Sequence, residues 1–520
     1  MIVEDQTEII AFLARPEAYA PSLTGATTAA AADSGPVDRV ERLDTHISHI
    51  FLAGDHAYKL KRAVRLPYLD FSSPGLRRRW CEREVEINRR TAPMLYQGCV
   101  PVVRSENGLS IGGEGQAVDW LVVMTRFPSD AVFDRLAAAG RLDRYAVEVL
   151  ADVVARFHAS AEPRPHHGGP AALARVVAGN RECFAQCVEG VLDRDAVGRL
   201  HAHTTSTLER LSPVLERRSA GGFVRRCHGD LHLRNIVAWN GLPVLFDAIE
   251  FSDALAEIDV LYDLAFLVMD VGERCGRHLA SLLLNRYLDA TGDTAGLAAM
   301  PLFLSVRAAI RSHVEAMTSD GERTALTAAA RYLSQAEAFL TPQSPRLIAV
   351  GGLSGSGKSR LARDLAPLIG LAPGARIVRT DTTRKRLAGV GFNTRLAPAL
   401  YGDAMTRKTY EAVYAEAKAA LAAGYAVIAD AVFGKPEERA AIAHVAEEAG
   451  VPFHGLWLQA PPGVLEERVT RRRMNASDAT AEVVRLQLFY DLGPIDWPRL
   501  NTQDATDAVL ADVCARLGLR

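Results

Sequence analysis

The sequence predicts an α/β protein made of two modules, a two-lobed α+β part followed by an α/β part with a parallel sheet. Three observations lead to this prediction. A chain of 520 residues is too long for one hydrophobic core, because single domains usually hold roughly 100–200 residues. Up to about residue 340, strand-like segments come first and helical segments follow. Beyond that point strands and helices alternate, which is typical of a parallel sheet.

Composition and charge limit the class of protein. Hydrophobic residues make up 48% of the chain and charged residues 23%, which favours folded globular modules. Lys and Arg number 60 against 62 Asp and Glu, so we do not expect nucleic acid as a partner. No apolar run reaches the roughly 18–20 residues of a membrane span, and no signal-peptide pattern opens the chain. We therefore expect a cytoplasmic protein that does not contact the membrane.

The first module is predicted to begin with a small antiparallel sheet that carries one helix. A short helix over 6–13 and a low-complexity, flexible connection over 22–36 precede the first strand signal at Thr45. A turn at Gly54-Asp55 then joins two strands of an antiparallel hairpin. A basic amphipathic helix over 75–93 follows the hairpin.

The rest of the first module is predicted to be mostly helical. Two more strands turn at Asn107-Gly108, and helical periodicity dominates after Pro128. Two short strands joined at Asn240-Gly241 interrupt the helices. A short Pro/Ser linker at 341–346 ends the module, and we place the domain boundary near residue 343.

A phosphate-binding motif opens the second module. Residues 352–359, GLSGSGKS, fit the pattern G-x-x-x-x-G-K-[ST] between a predicted strand and a predicted helix. Glycines there let backbone N–H groups turn toward phosphate oxygens at a helix N-terminus. Lys358 would reach the β- and γ-phosphates of ATP, and the Ser359 hydroxyl would bind Mg²⁺. The candidate nucleotide-binding residues of this loop are Gly352, Ser354, Gly355, Ser356, Gly357, Lys358 and Ser359.

Two aspartates follow the next predicted strands. Asp381 and Asp430 come at the carboxyl ends of these strands, where open parallel sheets bind their ligands. Asp430 would hold the metal or its bound water, and Asp381 would accept a proton from a substrate hydroxyl. The alternative for each aspartate is a helix N-cap. Further on, an arginine-rich segment over 468–473 would close over ATP, and a solvated basic face is the alternative there.

The segments GLSGSGKS, RTDTTRKR, AVIADAVF and ERVTRRRMNASDAT resemble small P-loop kinases related to gluconate kinase, the zeta-toxin kinases and the polynucleotide-kinase phosphoryl-transfer domain. The resemblance covers roughly residues 345–520. It implies that Asp381 lies in the substrate site with Arg384 nearby. It also implies that Arg468 and Arg472 belong to a lid over ATP, although four arginines compete for these roles.

The first module carries the motif of a second phosphotransferase. Residues 228–235, HGDLHLRN, have the spacing H-x-D-x-x-x-x-N, and Asp247 follows across the predicted hairpin. Kinase-like enzymes need an aspartate that orients or deprotonates a hydroxyl, an Asn five residues later, and a second aspartate for Mg²⁺. Asp230, Asn235 and Asp247 are the candidates for these places.

This motif and its surroundings resemble the aminoglycoside phosphotransferase-like kinases, which implies a protein-kinase-like fold for the first module. The resemblance makes Asp230 the catalytic base and His228 a support of its loop. It makes Asn235 and Asp247 ligands of Mg²⁺, and Asp259 and Asp263 structural aspartates at a loop and a helix cap.

The same resemblance assigns the ATP-binding residues of the first module. Lys59 would contact the phosphates and pair with Glu84, and Met124 would begin the adenine hinge. Lys61 competes with Lys59, because alternate residues of a strand share a face. The glutamates two positions on either side of Glu84 compete with it. The segment over 45–51, THISHIF, has no G-x-G-x-x-G pattern.

Together the two resemblances predict a bacterial bifunctional protein with domains 1–340 and 341–520. We expect an ATP- and Mg²⁺-dependent phosphotransferase that acts on hydroxyl groups of a small molecule such as a sugar, an amino sugar or a related alcohol. Two alternatives remain. One module senses nucleotide and regulates the other, which the missing glycine-rich loop favours for the first module, or the second module is a polynucleotide 5′-kinase.

Overall fold

The structure is a computed structural model that describes residues 3–20, 37–66, 69–165, 167–187, 192–318, 323–471, 477–503 and 506–519. The chain forms two compact units. The first unit comprises Met1–Leu142, Ser160–Gly168 and Gly222–Asp263, and the second comprises Asp143–Ala159, Gly169–Gly221 and Leu264–Arg520. The predicted domains, 1–340 and 341–520, do not coincide with these compact units, and this division stays a prediction. The predicted connection over 22–36 lies outside the described residues.

Strands and helices are numbered here in chain order. The strands are β1 (Val40–Asp44), β2 (Ser48–Ala53), β3 (His56–Lys61), β4 (Arg65–Leu66), β5 (Leu69–Asp70), β6 (Tyr96–Ser105), β7 (Gly108–Ile111), β8 (Gln116–Thr125), β9 (Val224–Arg226), β10 (Ile236–Trp239), β11 (Leu242–Leu245), β12 (Glu257–Asp259), β13 (Leu347–Gly351), β14 (Arg376–Arg379), β15 (Val427–Asp430), β16 (Phe453–Gln459) and β17 (Arg499–Asn501). The helices are α1 (Thr7–Leu13), α2 (Pro74–Asn88), α3 (Phe133–Ala138), α4 (Arg144–Ser160), α5 (Gly169–Gln186), α6 (Arg194–Ala220), α7 (Asp253–Ala256), α8 (Val260–Cys275), α9 (Arg277–Thr291), α10 (Met300–Thr318), α11 (Arg323–Phe339), α12 (Lys358–Leu365), α13 (Thr380–Leu387), α14 (Asp403–Ala422), α15 (Pro436–Glu448), α16 (Pro462–Thr470), α17 (Ala481–Gln487) and α18 (Thr506–Arg516).

An antiparallel sheet of six strands organises the first unit, in the order β1-β2-β3-β8-β6-β7. Phe51, Leu60 and Leu121 are completely buried on one face of this sheet, where they pack with Leu13 of α1. Because successive side chains of a strand point to opposite faces, the residues on either side of Leu60 project from the other face. Those two residues are lysines, and the sheet therefore presents both toward the predicted nucleotide site.

The hairpin of β10 and β11 leads to the predicted metal ligand of the first unit. Asn240 and Gly241 turn the chain with φ values of 50° and 78°, as a two-residue turn between antiparallel strands requires. Asp247 follows the hairpin and also takes a left-handed φ of 62°. Few residues other than glycine adopt such a φ, so the local backbone holds this aspartate in an uncommon conformation.

The second unit contains a parallel sheet in the order β14-β15-β13-β16-β17. Its core includes completely buried residues of the central strands, such as Val350 and Ile428, and Leu361 of α12. The predicted α/β class of this part is confirmed. Strands β17 and β1 are absent from the sequence prediction, because each is short and turns mostly exposed side chains outward.

Helix α9 covers the free edge of this parallel sheet. The side-chain amide of Asn285 accepts a hydrogen bond from the Ile377 backbone N–H at 2.7 Å and donates to the Ala375 carbonyl at 3.1 Å. Arg376, whose side chain is 1% exposed, forms an ion pair with Asp289 of α9 at 2.7 Å. The two hydrogen bonds of Asn285 satisfy backbone groups at the start of β14, of the kind that an edge strand otherwise leaves unpaired.

Candidate active sites

Strand β3 and helix α2 bring the predicted lysine and glutamate of the first unit together. Lys59 Nζ donates to Glu84 Oε1 at 2.9 Å and to Asp247 Oδ1 at 2.6 Å. The Lys59 side chain is 12% exposed, and that of Glu84 is fully buried. The structure thus joins three of the predicted residues in one ion-pair cluster, and their roles toward ATP stay predictions.

A second lysine shares the same glutamate. Lys61 Nζ donates to Glu84 Oε2 at 2.6 Å and also to Glu250, and its side chain is 1% exposed. Of the two lysines, Lys59 is the one that contacts Asp247. No local sequence pattern indicates the partnership between Lys61 and Glu250, because 189 residues separate them in the chain.

The glutamates that compete with Glu84 in the sequence lie on the solvent side of α2. Glu82 pairs with Arg78 and its side chain is 53% exposed, and Glu86 pairs with Arg83 and is 68% exposed. The helix therefore turns only Glu84, of these three glutamates, toward the lysines.

The ion pair between Glu84 and Lys59 keeps both of these residues charged. Burial alone would raise the pKa of Glu84, but Lys59 and Lys61 outweigh it and lower that pKa to about 2. Burial alone would lower the pKa of Lys59, but Asp247 and Glu84 outweigh it and raise that pKa well above its usual value. A carboxylate between two ammonium groups is therefore the state at neutral pH.

The HGDLHLRN segment forms a loop whose two predicted functional side chains touch. Asn235 Nδ2 donates to the Asp230 carbonyl at 2.9 Å and to Asp230 Oδ2 at 3.0 Å. The Asp230 side chain is 41% exposed, so a substrate hydroxyl has access to it. Asp263 accepts hydrogen bonds from the His228 N–H at 3.0 Å and from the next N–H at 2.9 Å. Asp263 thus fixes the start of the loop, as expected of a structural aspartate.

The region that would cover nucleotide phosphates in the first unit is a tight turn. The Thr45 N–H donates to the Ser48 carbonyl at 2.8 Å, so only two residues lie between the partners that close the turn. The Ser48 hydroxyl is buried, and it has no hydrogen-bond partner among the described residues. Met124, the predicted hinge residue, is buried in β8 opposite Tyr96.

The GLSGSGKS segment of the second unit forms the strand–loop–helix arrangement that its motif predicts. A Cβ on Gly352 or Gly355 would lie 2.3 Å or 2.6 Å from a main-chain oxygen, and both residues have positive φ, so both positions require glycine. Gly357, the N-cap of α12, also has a positive φ. Lys358 Nζ donates to the Gly352 carbonyl at 2.7 Å and to the Leu353 carbonyl at 3.0 Å. The lysine therefore lies along the inside of its own loop.

Two predicted metal ligands of the second unit converge on one cation, the guanidinium of Arg379. Arg379 Nε donates to Asp430 Oδ2 at 3.1 Å, and its Nη2 donates to Ser359 Oγ at 3.0 Å. A carboxylate and a hydroxyl oxygen are hard donors of the kind that Mg²⁺ takes, so these residues fit that ion. Arg379 is not among the predicted site residues, and its signal in the sequence is a basic residue at the end of the strand before Asp381.

Neither predicted aspartate of the second unit is a helix N-cap. Asp381 lies within the first turn of α13, where Arg379 holds the N-cap position. Asp430 ends β15, and the next helix, α15, has Lys435 as its N-cap. The N-cap alternatives are therefore wrong.

A cavity of about 1120 Å³ joins the phosphate loop to the predicted substrate residues. Lys358 and Ser359 line it together with Asp381 and Arg384. The Arg384 guanidinium donates to a main-chain carbonyl at 2.9 Å and lies over the Tyr401 ring at 5.0 Å from its centre. The loop and the acceptor residues thus face the same space.

Asp478 ties the segments around this cavity to each other. It accepts hydrogen bonds from Lys385 Nζ at 2.9 Å, from the Leu396 N–H at 2.9 Å and from the Tyr401 hydroxyl at 2.7 Å. The sequence placed Asp478 in a segment of family resemblance but gave no role for it. Its three partners lie 77 to 93 residues away, and a local pattern does not reveal such contacts.

The predicted lid arginines have different outcomes. Arg468 donates to Thr502 Oγ1 at 3.1 Å and to the Thr502 carbonyl at 2.6 Å. It is not among the described residues that line the cavity. Arg472 lies outside the described residues. The contact of both arginines with ATP stays a prediction.

Comparison with known proteins assigns the chain to a family. The uncharacterized protein Rv2004c of Mycobacterium tuberculosis is 31% identical to it over 448 residues, which cover 85% of this chain and 88% of that protein. The chain belongs to the family of this mycobacterial protein. Residues 347–490 match the AAA domain family, and the match contains the phosphate loop.

Two solved structures are similar to parts of the chain. A choline/ethanolamine kinase family protein from Mesorhizobium loti is 14% identical, with a TM-score of 0.37, and the match covers 61% of this chain and 92% of that one. The APS kinase CysC of Mycobacterium tuberculosis, in complex with AMPPNP and APS, is 23% identical, with a TM-score of 0.26. This match covers 34% of this chain and 99% of that one.

The predicted fold classes and the recognition of two fused kinase modules are confirmed. The first unit has an antiparallel sheet, a buried lysine–glutamate pair, the HGDLHLRN loop and a hairpin before an aspartate. The second unit has a phosphate loop on a parallel sheet within the matched AAA domain. Kinases are among the solved structures that are similar to parts of the chain. Among the described residues, no helix has the length and apolar character needed to cross a membrane.

Proposed function

We propose that this protein uses ATP and Mg²⁺ to phosphorylate a hydroxyl group of a small polar molecule, a sugar, an amino sugar or a related alcohol. The observation that carries the proposal is the cavity of the second unit, which the phosphate loop and the pair Asp381 and Arg384 line together. Phosphoryl transfer needs a donor phosphate and an acceptor hydroxyl in one space from which water is excluded.

The chemistry of the second unit follows from the position of each side chain. The loop N–H groups and Lys358 would hold the transferred phosphate, and Asp381 would accept the proton of the attacking hydroxyl. Arg384 would orient the acceptor, since its guanidinium is already held over Tyr401. A bound Mg²⁺, held by Ser359 and Asp430, supplies charge neutralisation for the phosphates.

The cavity lining supports a small molecule over a polynucleotide as acceptor. Beyond the predicted site residues, its acidic members include Asp403, Glu438, Asp478 and Asp491, while Arg395 and Lys435 are basic. Acidic side chains outnumber basic ones in this part of the lining, whereas binding of a nucleic-acid backbone depends on an excess of basic residues. Carboxylates accept hydrogen bonds from hydroxyl and amino groups, which a sugar or an amino sugar carries.

We propose a second nucleotide site in the first unit. The exposed Asp230 carboxylate would serve as the base, and Asn235 and Asp247 would hold a metal ion. A specific observation favours a second candidate function for this unit, nucleotide sensing: the segment that would cover the phosphates is a closed turn at Thr45 and Ser48. The two functions differ in whether turnover requires Asp230.

A substrate screen tests the proposal. ATP consumption is measured with panels of sugars, amino sugars, polyols, nucleosides and aminoglycosides for the wild type, Lys358→Ala and Asp230→Ala. Arg346→Met is the matched control, because the Arg346 side chain donates to the Leu517 carbonyl at 3.0 Å and is not among the described residues that line the cavity. We expect an acceptor whose phosphorylation is lost in Lys358→Ala and retained in the control. If no acceptor loses phosphorylation in Lys358→Ala, the proposal for the second unit is contradicted.

A further inference from the structure

Arg379 lies where the two metal-binding side chains of the second unit meet. It is the last residue of β14 and stands in register with Asp430, the last residue of the neighbouring strand β15. Its guanidinium reaches Asp430 at 3.1 Å and the hydroxyl of Ser359 at 3.0 Å. The side chains of Arg379 and Asp430 are 13% and 5% exposed. A buried positive charge thus holds both of the oxygen donors that fit a divalent cation.

The positive charge of Arg379 is permanent, and the strand that carries this residue is anchored. A guanidinium does not lose its proton in proteins, so Arg379 leaves the two oxygens only by moving away from them. The strand that carries it is fixed two residues earlier, where the Ile377 N–H donates to Asn285 of α9. The side chain can therefore change its rotamer while the strand stays in place.

It is energetically unfavourable for the Arg379 guanidinium and a magnesium ion to contact the oxygens of Asp430 and Ser359 at the same time. Both are cations, and like charges a few ångströms apart repel strongly in a buried site. Mg²⁺ also demands near-octahedral oxygen ligands and usually takes one or two protein ligands with the phosphates of a nucleotide. Without nucleotide phosphates, the contacts of Mg²⁺ with Ser359 and Asp430 compensate little for the loss of the ion pair between Arg379 and Asp430.

We propose that Arg379 competes with Mg²⁺ for Asp430 and Ser359, so that the metal binds firmly only together with nucleotide phosphates. The inference rests on the proposed nucleotide site of the second unit. Arg379 is a positioning residue in this account: it neutralises Asp430 and holds Ser359 in place before the metal arrives. The alternative is an ion pair that only stabilises the fold, which predicts no effect on the magnesium requirement.

The test measures the magnesium dependence of nucleotide binding in the full-length chain. AMP-PNP is titrated by calorimetry at a series of Mg²⁺ concentrations, and the binding that Lys358→Ala removes is assigned to the second unit. In Arg379→Met the half-saturating Mg²⁺ concentration should fall about tenfold or more, the factor expected for one charge-assisted hydrogen bond. Arg379→Lys, which keeps the charge, should stay closer to the wild type, and Arg346→Met should match the wild type.

A second measurement uses Mg²⁺ alone. Without nucleotide, Mg²⁺ should raise the melting temperature of Arg379→Met, where Asp430 has lost its counter-charge, and leave that of the wild type unchanged. If Arg379→Met does not fold, Arg379→Gln replaces it with the same expectation, because the amide is neutral. An unchanged or higher magnesium requirement in the folded, uncharged variant overturns the inference. Absence of any Lys358-dependent AMP-PNP binding in the wild type instead refutes the proposed nucleotide site.

Discussion

Replacing Glu84 by Gln should destabilise the first unit strongly. The Glu84 carboxylate is fully buried between Lys59 at 2.9 Å and Lys61 at 2.6 Å. The substitution keeps the size of the side chain but removes the negative charge, which leaves two buried ammonium groups with fewer counter-charges. Breaking a buried ion pair by removing one partner costs about 3–5 kcal/mol. Because Asp247 and Glu250 still contact the lysines, we expect the lower end, about 3 kcal/mol.

The matched control is Glu82→Gln on the same helix. Glu82 pairs with Arg78 at 2.9 Å, but both side chains are more than half exposed. Exposed pairs of this kind contribute about 0.5 kcal/mol or less. The two variants therefore make the same chemical change in one helix and differ in burial.

Thermal unfolding by scanning calorimetry measures the difference. For a unit of this size, a loss of 3 kcal/mol lowers the melting temperature by roughly 6–12 °C. We expect that shift in the transition of the first unit for Glu84→Gln, and a shift of about 2 °C or less for Glu82→Gln. Equal shifts in the two variants would refute the reasoning that burial makes the Glu84 cluster a stabilising element.

Three further predictions concern the same two sites. Gly355→Ala should abolish nucleotide binding at the second unit, because its Cβ would lie 2.6 Å from the Leu465 carbonyl oxygen; retained AMP-PNP binding would contradict this. Asn285→Ala should lower the free energy of unfolding of the second unit by about 1–3 kcal/mol through loss of its bonds to β14, and denaturant unfolding that matches the wild type would contradict it. Folding lowers the pKa of Glu84 from 4.5 to about 2, so between these pH values the unfolded chain binds more protons than the folded chain. The stability that the Glu84 carboxylate contributes is therefore lost as the pH falls from about 4.5 to about 2. Unfolding of Glu84→Gln should therefore depend less steeply on pH in this window than unfolding of the wild type.

The features that the sequence predicted well are those that chemistry ties to a local pattern. A phosphate loop needs glycines at fixed spacing before a helix, and the structure places a main-chain oxygen where side chains at Gly352 and Gly355 would lie. The Asn240-Gly241 turn is predictable for the same reason, since its positive φ values favour those residues. Family resemblance predicted the pairing of Lys59 with Glu84. Burial distinguishes Glu84 from the exposed glutamates on either side of it in α2.

The features that the sequence did not reveal are contacts between distant segments. Arg379 meets Asp430 because β14 and β15 end side by side, and it meets Ser359 because the phosphate loop brings α12 to the same place. In the sequence, Arg379 looks like any basic residue at a strand end. Asp478 draws its partners from three separate positions of the chain. The contact of Asn285 with the edge of β14 likewise depends on tertiary packing. Asn285 precedes its partner Ala375 by 90 residues in the chain. Such contacts follow from the fold and leave no periodic or spaced signal.

In the proposed function, the cavity of the second unit joins a phosphoryl donor to an acceptor hydroxyl. The most direct measurement follows the radioactive γ-phosphate of ATP with the best acceptor of the screen, for the wild type and for Asp381→Asn. We predict that the label appears on an acceptor hydroxyl and that Asp381→Asn lowers the transfer rate by about 10²-fold or more, the contribution of a general base. Label that appears only as inorganic phosphate, or transfer to the acceptor that is unaffected by Asp381→Asn, would contradict the account.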